Sequence, residues 1–204
     1  MKTNKYLLFF ILFFSVFLHA DDDSGLDYTW TEFHPVLTEY IIKNNNKIHK
    51  NGKFLFKNAQ LYIPYIEEIA KQHDVPREIA IVAAIESAFN PKALSSAGAQ
   101  GMWQFMEATA KDMGLSSIER NDWKKSTKAA ILYLKWLSFN KFDGDYELAL
   151  LAYNAGIGRI KKAIKKHNTV DPWELISLKA IPIETQEYLP KFITYVYYYK
   201  FIEQ

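Results

Sequence analysis

Residues 85–106 read IESAFNPKALSSAGAQGMWQFM, and the reading of this stretch decides the fold. Glu86 closes an apolar run, small residues follow, and the chain reopens into Met102-Trp103-Gln104-Phe105-Met106. A carboxylate at the end of a buried element, a loop that allows close approach and an aromatic, amide-bearing segment are parts from which a sugar-cleaving site can be built. The plainer alternative is a helix, a loop and a second helix whose lone Glu86 is solvated.

Upstream of Glu86, Asp74-Val75-Pro76-Arg77-Glu78 is a helix-start pattern, with proline near the first position and an acid in the first turn. Residues 79–85 are apolar on every face, so this helix is expected at the centre of the fold. Asn90-Pro91 is expected to end it, because the residue before proline is pushed out of helical geometry. Glu86 then lies in the last turn of a buried helix. Apolar surroundings and last-turn carbonyls both disfavour a negative charge, so its pKa is expected to be raised and Glu86 to serve as a general acid.

Downstream, Ala93, Ser95, Ser96, Ala97, Gly98, Ala99 and Gly101 form a loop whose backbone can approach a ligand closely. Residues 102–112 read as a helix closed by Gly114, and Ser126 as the N-cap of a helix reaching Phe142. Asp143-Gly144 makes a turn, after which a helix from about Asp145 carries Tyr153 and Asn154 at its end and stops at Gly156. Residues 159–166 are amphipathic with five basic side chains, which fits a solvated helix face or a binder of an anionic polymer. Asp171-Pro172 starts a short helix around Trp173. The tail from Ile181 to Pro190 leads into a helix over residues 191–203, whose Phe192, Tyr195, Val196, Tyr199 and Ile202 fall on one face, as core or as a ligand stripe.

Before Glu86, residues 58–73 recur at helical spacing, with Pro64 near the first turn. Residues 21–54 are mixed and read as an N-terminal extension with at most one short helix. Residues 1–20 carry Lys2 and Lys5, an apolar run and His19-Ala20, the layout of a signal peptide cut after Ala20, with an uncleaved anchor as the alternative. No strand-like alternation of useful length appears. The fold class is therefore all-α, one domain over residues 55–204.

Removing residues 1–20 leaves 23 basic against 23 acidic side chains, and that neutrality argues against nucleic acid as a partner. Cysteine is absent, so an exported chain of this kind relies on its core, and no thiol is available for lipid attachment. His34, His49, His73 and His167 are scattered without metal-ligand spacing, so no metal is expected. Gly156-Ile157-Gly158 follows a helix, not a strand, and fits a helix cap better than a dinucleotide loop. Ser87, Ser95 and Ser96 lack a nucleophile setting. A two-carboxylate glycosidase needs a second acid, and spacing chooses none. Two readings stay open on the residues alone: a helical domain with a sugar-sized aromatic cleft, and an interaction domain with a buried Glu.

Four ordered blocks carry a resemblance. Glu86-Ser87-Ala88-Phe89-Asn90-Pro91, the segment from Ser95 to Met106, Ala152-Tyr153-Asn154-Ala155-Gly156 and Glu184-Thr185-Gln186-Glu187-Tyr188 resemble the signature blocks of lytic transglycosylases with the goose-lysozyme-like fold, most closely the membrane-bound type D branch. The likeness covers residues 55–201. It implies an all-α, lysozyme-like domain that cleaves the bond between N-acetylmuramic acid and N-acetylglucosamine in peptidoglycan, with Glu86 acting first as acid and then as base. The muramoyl C6 hydroxyl then closes on C1 to give a 1,6-anhydro end, aided by the substrate's acetamido group. By the same resemblance Ser95, Gln104 and Met106 line the cleft, Tyr153 and Asn154 stand near the reacting sugar or hold Glu86, and Glu184 and Tyr188 close the opposite wall.

The resemblance further implies no cofactor, glycan strands of peptidoglycan as the binding partner, cell-wall machinery as a further partner class, and a periplasmic or cell-envelope location. Glu107 replaces the proline usual after the Gln-Phe-Met run, which is expected to alter a helix start mildly. The length leaves no C-terminal room for wall-binding repeats, so weak wall anchoring is expected. The competing functions are a muramidase that uses water and a non-catalytic peptidoglycan-binding protein.

Overall fold

A computed structural model of the protein describes residues 28–202. The expected leader over residues 1–20 and its cleavage after Ala20 lie outside the described residues. Those residues form nine α-helices: α1 (Pro35–Leu55), α2 (Ala59–Gln72), α3 (Ala80–Ser87), α4 (Glu107–Asp112), α5 (Trp123–Lys141), α6 (Tyr146–Ala155), α7 (Ile157–His167), α8 (Pro172–Ser177) and α9 (Ile183–Ile202). Among the described residues, extended pairing is limited to the isolated bridges Leu94–Gln100 and Gln100–Phe105. The all-α expectation holds.

Helix α3 sits at the centre, as its composition requires. Ala80, Ile81, Val82, Ala83 and Ala84 are all buried, and α9, α2 and α1 pack against the helix, α9 through the segment that buries Leu189, Phe192, Ile193 and Val196. It is entered through a 3-10 turn, Arg77–Ile79, so the expected start is looser than a regular first turn. It also ends sooner than Asn90-Pro91 predicts. Ala88 turns left-handed at φ 52°, and the Ala88 and Phe89 amides bond back to Ala84 and Ala83 at 2.8 and 3.2 Å. The first of these is the αL type of helix closure, made here without glycine. The cause is Phe89, also left-handed, whose fully buried ring lies 6.0 Å from Tyr62 and 6.5 Å from Phe56. Burying the aromatic contributes about 1.5–3 kcal/mol, which offsets most of the strain of about 1–2 kcal/mol at each of the two left-handed residues.

Residues 102–112 are not one helix. Long-range side chains take the carbonyls that helical amides would need: Ser87 Oγ donates to Met102 O at 2.7 Å and Tyr153 Oη to Trp103 O at 2.7 Å. Arg120 Nη1 donates to Phe105 O at 3.1 Å, which also accepts from Gln100 N at 3.0 Å. The helix begins only at Glu107, the residue standing where the resemblance leads one to expect proline.

Three further boundaries differ from expectation. Asp122, not Ser126, caps α5, its Oδ1 accepting from the Lys124 and Lys125 amides at 3.0 and 3.1 Å, while Ser126 is buried inside the first turn. The last helix starts at Ile183 and runs through Pro190, so the stretch read as a tail is helical. The short helix expected before Lys53 is 21 residues long. Proline at its first turn and His34 Nδ1, accepting from Val36 N at 3.2 Å, start α1.

Helix α1 packs along α9. Gly52 meets the Tyr198 ring so closely that an added Cβ would sit 2.3 Å from it, and Phe56 stacks on Tyr198 at 5.9 Å. The segment before α1 is anchored as well. Trp30 lies 4.9 Å from Phe192, and Glu147 accepts from Thr31 N at 2.7 Å, from Thr31 Oγ1 at 3.1 Å and from Trp173 Nε1 at 2.7 Å.

Candidate active site

Glu86 reaches the last turn of α3 because the apolar run ahead of it fills the core and the left-handed turn at Ala88 stops the helix one residue after Ser87. It is half-buried. Tyr188, on the second turn of α9, donates its hydroxyl to Glu86 Oε1 at 2.6 Å. One turn further along, Lys191 Nζ donates to the Ile85 carbonyl at 3.3 Å. Glu184, Tyr188 and Lys191 are spaced four and three residues apart, which places them on one stripe of α9 facing the end of α3.

Burial is the dominant influence on Glu86 and raises its pKa from 4.5 to about 7. The Tyr188 hydrogen bond and then the Lys191 charge pull it down, and the Glu184 charge pushes it up. Burial depresses the pKa of Lys191, and burial together with the Glu86 charge holds the Tyr188 and Tyr153 hydroxyls far above their usual range. The tyrosines are therefore donors, not bases, and Glu86 exchanges its proton near neutrality.

Tyr153 and Asn154 end α6 beside this group. The Tyr153 hydroxyl bonds to the Trp103 carbonyl, and its phenol feels the Glu86 charge. Asn154 Oδ1 accepts from Thr185 Oγ1 at 2.7 Å, which ties the end of α6 to the start of α9 next to Glu184. Glu184 itself is exposed.

The loop residues are held by local bonds. Ser95 Oγ accepts from Ala99 N at 2.9 Å, and Gln104 Nε2 donates to Gly101 O at 2.8 Å from a left-handed residue, φ 49°. Met106 is 47% exposed just before α4, a large apolar side chain left open to solvent. Thus Glu86, Tyr153, Tyr188 and Glu184 are coupled directly or electrostatically, whereas Ser95, Gln104 and Met106 belong to the adjoining loop.

Lys191 and Thr185 were not singled out from the sequence. The signal for Lys191 was a lone cation at the head of an aromatic run, and taking the helix back through Pro190 would have placed it on the stripe of Tyr188. Among the described residues there is no cluster of His, Asp or Glu that could hold a metal ion.

Residues 64–176 match the family model described as the Transglycosylase SLT domain. The chain belongs to this family. Within it, the chain is 36% identical over 164 residues to membrane-bound lytic murein transglycosylase D of Escherichia coli strain K12, covering 75% of this chain and 35% of that protein. The chain thus spans about a third of that relative's length. Its fold matches the 70 kDa soluble lytic transglycosylase of Escherichia coli with a TM-score of 0.61 at 21% identity, over 82% of this chain and 31% of that one. It also matches an inactive mutant of the lytic transglycosylase Slt of Pseudomonas aeruginosa, with a TM-score of 0.58 at 24% identity, over 69% of this chain and 24% of that one. The two structural likenesses establish a shared SLT-domain fold. The stripe of α9 that meets Glu86 lies beyond the matched segment of the SLT family model.

Proposed function

We propose that this SLT-domain chain is a peptidoglycan lytic transglycosylase that uses Glu86 as its single acid and base. The observation carrying this reading is the half-buried Glu86 beneath the Tyr188 hydroxyl, with a pKa near 7 that lets one carboxyl group both give and take a proton.

Protonated Glu86 donates to the glycosidic oxygen between N-acetylmuramic acid and N-acetylglucosamine, and the bond from muramoyl C1 to that oxygen breaks. Positive charge builds at C1, supported by the substrate's acetamido group. The muramoyl C6 hydroxyl attacks C1, a new C1–O6 bond forms, and the hydroxyl proton passes to Glu86, which returns to its starting state. Because the nucleophile belongs to the sugar, the scheme needs no second carboxylate of the kind required by two-acid glycosidases. Tyr188 orients the carboxyl group and stabilises its ionised form midway. Lys191 adds positive charge nearby.

Ser95, Gln104 and Met106 supply hydroxyl, amide and thioether contacts to the sugars on one side, and Tyr153, Asn154 and Glu184 on the other. Glycan strands are the substrate, which places the working location in the cell envelope. The apolar leader read in residues 1–20 supports export.

Digestion of purified cell-wall sacculi, with mass analysis of the released fragments, tests the proposal. It predicts fragments ending in 1,6-anhydro-muramic acid from the wild type and a greatly slowed release of them by Glu86→Gln. Reducing-end muramic acid would assign a water-using muramidase instead.

A further inference from the structure

Trp136 differs from the other tryptophans of the described residues. Trp30, Trp103 and Trp173 are buried and Trp123 is half-buried, but Trp136, on α5, is 39% exposed. Its indole is also linked to the candidate site by a run of rings. Tyr153, whose phenol feels the Glu86 charge, lies 5.8 Å from Tyr133, and Tyr133 lies 6.0 Å from Trp136 with their planes within 18°. Phe105, between the loop residues Gln104 and Met106, packs against both tyrosines at 6.2 and 6.3 Å. Tyr133 is therefore bracketed by the two elements that adjoin Glu86, and Trp136 is the next ring outward.

Lys141 Nζ stands 4.4 Å from the Trp136 ring centre. An ammonium on an accessible indole is a weak contact that holds the ring in place and gives way to a better-fitting ligand. A sugar offers such a fit. Its axial C–H face covers an aromatic ring while its hydroxyl edge stays wet, the same division of apolar body and polar rim that makes tryptophan effective at binding surfaces.

We propose that Trp136 forms a distal subsite that stacks an N-acetylhexosamine ring of the glycan strand held at Glu86, so that longer strands bind more tightly than short ones. This rests on the chain acting on glycan strands. The occupant is an uncharged pyranose, and continuity of the ring path with the candidate site is what selects it over an unrelated protein partner.

The test uses intrinsic fluorescence and binding in a Glu86→Gln background, with linear N-acetylglucosamine oligomers as probes. A long oligomer should change the indole emission and protect it from iodide quenching. Trp136→Ala should abolish both effects and weaken long-oligomer binding about tenfold, with a far smaller change for a short oligomer. Trp136→Tyr, which keeps a stacking face, should restore most of the affinity. Wild-type affinity in Trp136→Ala, or iodide quenching that the oligomer leaves unaltered, would overturn the subsite while leaving the catalytic reading in place. Absence of any oligomer binding with Trp136 present would overturn both.

Discussion

The Tyr188 hydroxyl donates to Glu86 Oε1 at 2.6 Å, joining two residues 102 positions apart. A donor to the ionised form lowers a carboxyl pKa, so Tyr188 offsets part of what burial does to Glu86. Tyr188→Phe should raise the Glu86 pKa above its present value near 7 and move the alkaline limb of the pH–rate profile upward. Turnover should fall by roughly ten- to a hundredfold, because the intermediate carboxylate loses its oriented donor. A pH–rate profile of the variant reads both effects.

Stability should carry the signature of the same group. The folded state holds the Glu86 proton up to about pH 7, whereas the unfolded chain releases it near 4.5, so the native protein binds more protons across that window. The contribution is present in full below 4.5 and is lost as pH rises to about 7. Wild-type stability should drop across this range relative to Glu86→Gln by on the order of 1–3 kcal/mol. Urea unfolding at pH 4.5 and pH 8 checks it, and parallel curves for the two proteins would count against the assignment.

Glu147 is a different kind of buried acid. Its carboxylate takes three donors from Thr31 and Trp173 and joins the segment before α1 to α6 and α8. Glu147→Ala leaves those donors without a partner and should cost about 2–4 kcal/mol. Hydrogen exchange should quicken first around Thr31, before the core of α3 responds.

Gly52→Ala tests whether α1 is integral to the domain. Alanine favours a helix by about 1 kcal/mol over glycine, so an exposed site would be stabilised. Here the new methyl would meet the buried Tyr198 ring, itself stacked on Phe56, and a net loss of about 1–2 kcal/mol is expected from denaturant midpoints.

These positions also mark how far the sequence could be read. Periodicity located α2 and α7, the Asp171-Pro172 start signal located α8, and the all-apolar run of α3 placed Glu86 at the end of a central helix. What escaped were features set by distant contacts. The apolar run at Met102 to Met106 has helical composition, but Ser87, Arg120 and Tyr153 claim its carbonyls. Pro190 reads as a helix boundary, yet α9 passes through it, and that continuity is what brings Tyr188 and Lys191 to Glu86. Helix α1 is rich in Asn and Lys and has weak internal preference; its length comes from packing on α9. The placement of Glu86 was legible because the apolar run ahead of it is local in sequence. Its hydrogen bond to Tyr188 was not, because tertiary structure brings that hydroxyl to it.

The most direct test of the central claim is the product of Glu86 chemistry on intact sacculi. The account predicts that the wild type releases muropeptides ending in 1,6-anhydro-muramic acid, and that Glu86→Gln lowers their rate of release by about 10²–10⁴-fold while remaining folded. Undiminished release by Glu86→Gln, or products ending only in reducing muramic acid, would contradict it.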